Sequence, residues 1–283
     1  MLLLFFLIAF LVAWLLFITA SLISNNAQLS TLSHVLIFIG AISPGLVAIF
    51  ITAKTQGGEG VKLLIDKISF KNTSVMWYIF ALTFIALIKG LAALVFFLLY
   101  NSWPQFGTTS WYVMLGAIAV SMWVQAGEEI GWRGYALPLM SKKFGLAMSS
   151  VLLGIIWAVW HLPFFYLEAA DTFHQSFPLY LLQVTGLSVI MAWLFWKVNG
   201  NLLPLMVFHA AINNTKDIVP SASKASASPF TLNASPIGWI SVALIWGVAF
   251  YVIYAMTRKP AATIPDHAIH IGSINRDEKH SFK

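Results

Sequence analysis

Long apolar runs, each close to the length of a bilayer crossing and separated by short polar stretches, make up most of this chain. At ~20 residues per crossing, they fall near 2–23, 33–53, 75–99, 111–131, 146–166, 178–197, 202–216 and 237–257. None alternates apolar and polar residues with a period of two, and hydrocarbon tolerates only helices or closed barrels because no water is there to satisfy the backbone. The pattern predicts an all-α fold, a polytopic transmembrane helical bundle of about eight spans.

The polar punctuation refines this picture. Met1 to Ile23 lacks the basic flank and small-residue cleavage site of a signal peptide, so it reads as a retained first span. In the connection 54–74, Val61, Leu64, Ile65 and Ile68 recur at helical spacing opposite Lys62, Asp66 and Lys67, which predicts a short interfacial helix bounded by Gly57-Gly58 and Asn72-Thr73. The stretch 219–236, rich in Ser, Ala and Pro, reads as an external loop. Residues 1–258 form a single transmembrane domain on this reading, and 259–283 a flexible cytoplasmic tail.

Composition agrees: 59% of the 283 residues are hydrophobic and only 9% charged. The net charge of +6 does not point to nucleic acid, because the basic residues are dispersed through connections and tail instead of forming a patch. They report orientation. Lys54, Lys62, Lys67 and Lys71, then Lys142 and Lys143, then Lys197, mark alternate connections, while 24–32 and 100–110 carry no charge and 167–177 carries Glu168 and Asp171. The positive-inside rule therefore places both termini in the cytoplasm. The absence of cysteine excludes disulfides, thiolate metal sites and a cysteine nucleophile.

Against this background Glu128 and Glu129 stand out, adjacent within an apolar segment. An ionised side chain near the bilayer centre costs on the order of 3 kcal/mol by insertion scales, so such residues face the bundle interior and have partners. Arg133 lies four residues after Glu129, on the same helix face, and can pair with it. Glu128 points about 100° away and is left free. A structural Glu-Arg pair explains one carboxylate but not two.

The following span carries Trp157 and His161 one turn apart, and a later one carries His209 and Asn213 at the same spacing. Taken singly, each is as well explained by hydrogen bonding between helices, worth ~0.6 kcal/mol on average. Polar residues contributed by three separate spans are instead expected to converge on one hydrated pocket. A carboxylate can take a proton from water, one imidazole can hold that water, and a second imidazole with an amide can stabilise an oxyanion. Glu128, His161 and His209 could alternatively ligate zinc, leaving a position for water. No His-Glu-x-x-His, no Gly-x-Ser-x-Gly elbow and no Asp within a predicted span accompany them.

The combination Glu128-Glu129-x-x-x-Arg133, Trp157-x-x-x-His161 and His209-x-x-x-Asn213 resembles the CPBP family of membrane proteases, also called Abi or CAAX-protease-like. The resemblance covers roughly 125–214 and departs from the family's pattern at Trp157, where phenylalanine is usual. It implies an intramembrane endopeptidase in a prokaryotic cell membrane, acting on a membrane-associated peptide or protein that is lipidated and CAAX-like or of bacteriocin type. It also implies Glu128 as base, His161 as its partner, His209 and Asn213 as oxyanion stabilisers, and Glu129, Arg133 and Trp157 as supports. A non-proteolytic immunity or regulatory protein of the same fold is the alternative, and a transporter a more distant one, since no internal repeat is evident.

Two features sit awkwardly. On these boundaries Glu128 lies near the cytoplasmic end of its span, whereas His161 lies ~22 Å from the cytoplasmic end of its own. Lys89 falls within the third span outside every motif, either snorkelling to the outer interface or pairing with a buried carboxylate.

Overall fold

A computed structural model describes residues 1–258 except 72, 169, 174 and 221–227. The regular structure among the described residues is all helical, with no strand. The elements are α1 (Leu2–Ile23), α2 (Ser30–Ile65), α3 (Val75–Tyr100), α4 (Trp111–Glu129), a π-helical stretch (Ile130–Ala136), α5 (Leu137–Phe144), α6 (Leu146–Trp160), a 3-10 turn (Leu162–Tyr166), α7 (Phe177–Lys197), α8 (Leu203–Asn214) and α9 (Pro236–Arg258). Seven of these helical stretches are long and apolar enough to cross a membrane. The predicted tail, 259–283, lies outside the described residues.

Burial follows the rules of a bilayer more than those of water. In α1 the buried positions are Phe5, Ala9, Ala13, Phe17 and Ala20, a stripe of small and aromatic residues. The opposite face, with Leu3, Leu7, Leu11, Leu15 and Leu22, is exposed. Lipid is as apolar as leucine, so burying leucine gains little there, while small residues let backbones approach and gain packing.

The fourth span extends further than expected. The apolar run places its end near 131, yet the chain continues helically from Trp111 through the π stretch to Phe144. Glu129 pairs with Arg133, and Gly131 meets the α2 backbone: a Cβ on it would lie 2.6 Å from the Pro44 carbonyl carbon. The turn comes only at Gly145, whose φ of 72° ends α5 after Lys142 and Lys143.

The span expected at 202–216 is realised as α8, a 12-residue helix. At 1.5 Å per residue that is about 18 Å, short of the ~30 Å hydrocarbon core. It is walled by α3, α4 and α7. The crossing is completed by 215–219, where Lys89 donates to the Val219 carbonyl at 3.0 Å. Lys89 is thus buried, at 6% exposure, and does not snorkel.

Connections gather at two opposite ends. At one, Lys67 Nζ donates to Gly134 O at 2.7 Å, Leu202 N to Lys67 O at 2.8 Å, and Asn201 Nδ2 to Ser69 O and Thr73 Oγ1. At the other, Thr109 N donates to Asp217 Oδ2 at 2.8 Å, Lys216 pairs with Asp171, and Ser176 Oγ donates to Thr231 O. The lysine-bearing connections thus share one end, as the charge pattern required. The interfacial helix forms as the last part of α2, set off by the kink at Gly57, whose φ is 68°. Its other expected boundary, Asn72, lies outside the described residues.

Candidate active site

The longer fourth span removes the mismatch in depth. Counted back from Phe144, Glu128 lies ~24 Å from the basic end, and His161 lies ~22 Å from the start of α6 at that same end. The two side chains occupy one level of the bundle.

Glu129 is fully enclosed. Its Oε1 accepts Arg133 Nη1 at 2.9 Å and His209 Nδ1 at 2.8 Å. Arg133 also lies over the Trp157 ring, 4.2 Å from its centroid. The pairing of Glu129 with Arg133 follows from their i, i+4 spacing, but the tie to α8 was not expected, since His209 was assigned to an oxyanion alongside Asn213. Glu129 Oε2 and Arg133 Nε and Nη2 have no protein partner among the described residues.

Glu128 faces differently. Its Oε2 accepts the Trp157 indole N–H at 2.7 Å, so the residue singled out only as an aromatic support is the carboxylate's donor. Trp157 packs edge-on against both imidazoles, with ring centroids 5.1 Å from His209 and 5.7 Å from His161. Trp157 therefore ties Glu128, His161 and His209 into one cluster.

His161 owes its setting to the end of α6. Pro163 cannot donate to the backbone, and the His161 N–H turns to Ala158 O at 3.1 Å, opening the 3-10 turn. The Trp157 carbonyl released by this turn lies 2.8 Å from His161 Nδ1. A carbonyl only accepts, so Nδ1 carries the proton and neutral His161 presents a bare Nε2 lone pair. His209 likewise directs its Nδ1–H at an acceptor, Glu129 Oε1.

Asn213 lies one turn beyond His209, half-buried, and makes no hydrogen bond to Glu128 or to either imidazole. Its neighbour Asn214 is engaged, donating to Ser121 Oγ on α4 at 2.7 Å and to Ala210 O. Tyr180 of α7, which no motif flagged, packs against the His161 ring at 5.7 Å. No spacing rule could reveal it, because its relation to His161 exists only between helices. The alternative ligand set of Glu128, His161 and His209 does not fit zinc: among the described residues no three His, Asp or Glu groups are placed to hold a metal ion.

Comparison with known proteins points to the same family. Residues 109–215 match the model described as type II CAAX prenyl endopeptidase Rce1-like. The chain is also 23% identical over 235 residues to CAAX prenyl protease 2 of Methanococcus maripaludis, covering 76% of this chain and 84% of that protein. Both matches support the CPBP family.

The matched CPBP segment begins just before α4 and ends just after α8, so it spans every element that contributes to the cluster and leaves out α1, α2, α3 and α9. Those four lie around it, with α2 against α4 and the π stretch, and α3 against α8. These two matches, with the membrane-spanning helices around the cluster, indicate a membrane endopeptidase.

Proposed function

We propose that the chain hydrolyses a peptide bond in a lipid-tethered, CAAX-like substrate, using a water held between Glu128 and His161. The observation that carries this reading is the division of labour at Trp157. Its indole N–H occupies one oxygen of Glu128 and its carbonyl occupies Nδ1 of His161, which leaves the other carboxylate oxygen and Nε2 as two acceptors for the two protons of one water. The water's lone pair is then free to attack. As the C–O bond forms, Glu128 takes one water proton; when the tetrahedral intermediate collapses, that proton passes to the departing amine. His209 and Asn213 lie on the α8 side of the same cluster, where the carbonyl oxygen would develop charge.

The surface beside the cluster supports a lipidated substrate. A groove of about 330 Å³ opens between α2 and α4, lined by Phe38, Ile42, Leu46, Trp123, Gly127 and Ile130. Gly127 and Ile130 flank the two glutamates, so a hydrocarbon chain lying in the groove would bring an attached peptide to Glu128. The relative's name specifies a prenyl group, and the groove is apolar in the manner such a chain requires. The lysine-bearing end faces the cytoplasm on this reading, by the positive-inside rule.

The test uses proteoliposomes and an internally quenched, prenylated CAAX peptide. Wild-type protein is expected to release the C-terminal fragment, while Glu128→Gln loses about 10²–10⁴-fold in rate and unfolds thermally at the wild-type temperature. Full cleavage by Glu128→Gln would remove the base and the mechanism with it.

A further inference from the structure

Both imidazoles spend their only neutral-state N–H on the protein, His161 on the Trp157 carbonyl and His209 on Glu129. Trp157 likewise spends its indole N–H on Glu128. Asn213 remains, among the groups already discussed, as a neutral donor for the oxyanion that peptide hydrolysis must generate, beside the Nε2–H that His209 offers only as an imidazolium.

Tyr180 supplies what is lacking. Ser176 caps α7, its hydroxyl accepting from Leu179 N at 3.3 Å, and this fixes the first turn from which Tyr180 projects. The ring is held by Phe165 at 5.2 Å and by His161 at 5.7 Å, both edge-to-face. Aromatic pairs in this geometry gain energy beyond area burial and hold a ring in place. The residue is partly buried, and its hydroxyl makes no hydrogen bond to another described residue, which leaves its O–H available to a bound substrate.

We propose that Tyr180 is a further catalytic residue, its hydroxyl donating a hydrogen bond to the scissile carbonyl oxygen as that oxygen becomes the tetrahedral oxyanion. The role rests on the hydrolase reading above. No proton leaves Tyr180: water adds to the carbonyl carbon, its proton goes to Glu128, and the oxyanion accepts the phenolic O–H until the C–N bond breaks. The bond is weak to a ground-state carbonyl and strong to an oxyanion, which is the differential that accelerates a reaction.

Tyr180→Phe keeps the ring and removes the donor. With the same prenylated peptide, the variant is expected to lose about 10²–10³-fold in kcat with KM and melting temperature unchanged. The acid limb of its pH profile should also stay in place, because the groups that bind protons in the cycle are untouched. Wild-type kcat in Tyr180→Phe would overturn the proposal, as would a displaced acid limb, which would mean that the ring merely positions His161. Glu128→Gln, measured in parallel, separates the two claims. If that variant is inactive while Tyr180→Phe is fully active, the hydrolase reading stands and the tyrosine role falls. If Glu128→Gln cleaves normally, or wild type does not cleave the probe, both fall.

Discussion

Glu128 and Glu129 are adjacent in the chain, yet the two flanks of the site they define are built on opposite principles. On the Glu129 flank a carboxylate, a guanidinium and an imidazole from three elements close on one another with side-chain exposures of 0%, 0% and 3%. On the Glu128 flank one indole donates to one oxygen, and around it stand a bare Nε2, an unengaged hydroxyl and a half-buried amide. The first flank is fully enclosed and draws its ion pairing onto one oxygen, Glu129 Oε1, leaving Glu129 Oε2 and Arg133 Nε and Nη2 shut away from solvent, while the second keeps lone pairs and donors in reserve. A 100° step along a helix is enough to convert one carboxylate into a bolt and its neighbour into a reagent.

If that contrast is right, removing partners should break different properties on the two sides. Glu128→Gln costs activity and leaves the fold. Arg133→Ala should cost the fold, because Glu129 would remain buried with His209 as its one ionic partner. Breaking a buried pair from one side is destabilising by about 3–5 kcal/mol. Thermal unfolding in detergent micelles should show Arg133→Ala melting well below both wild type and Glu128→Gln. Equal melting of the two variants would mean that the flanks are not distinct.

A second substitution tests how closely the flanks are pressed against α2. Gly131 sits in the π stretch between them and Lys67's carbonyl partner, and its Cα meets Pro44 with no room for a side chain. Gly131→Val would force α2 away, at about 1–3 kcal/mol for overpacking, and would widen the groove that Gly127 and Ile130 line. The expected result is a lower melting temperature than wild type together with a raised KM for the prenylated peptide. An unchanged KM would separate the groove from substrate binding.

How much of this could be read from the chain depends on where the information lies. Helices, the alternation of basic connections and the pairing of Glu129 with Arg133 are local or periodic, and they emerge from spacing alone. The end of the fourth span did not. The apolar run ends near 131, and only the tertiary facts that Arg133 is neutralised and that Pro44 needs a glycine opposite it keep the helix going. The same error displaced Glu128 from the level of His161. The short length of α8 was hidden likewise, since its apolar run resembles a full crossing and only the Lys89 bond to Val219 shows how the remainder is made up. Tyr180 and the indole donor of Trp157 were beyond reach because each acts across a helix interface, and neither interface leaves a period in the sequence.

The smallest expected effect comes from beneath the Glu129 flank. Lys67, half-buried outside the spans, donates to Gly134 O, one residue from Arg133, and burial pulls its pKa from the ordinary 10.5 down to about 7. No equivalent tie reaches the Glu128 flank. Between pH 7 and pH 10.5 the unfolded chain therefore holds a proton at this position that the folded chain has largely lost. Stability rises with pH wherever the unfolded state binds more protons, so the cost of burying this cation shrinks as pH climbs through that window and is fully present below it. The neutral amine still donates to the carbonyl, so the clip survives deprotonation. Because the side chain is only half-buried, solvent screening holds the gain to on the order of 1 kcal/mol or less. Wild-type protein should gain melting temperature between pH 6.5 and pH 9 relative to Lys67→Met, which keeps the apolar stem and cannot titrate. Parallel melting curves across that range would show that the ammonium is solvated and that the Glu129 flank stands without help from the basic end.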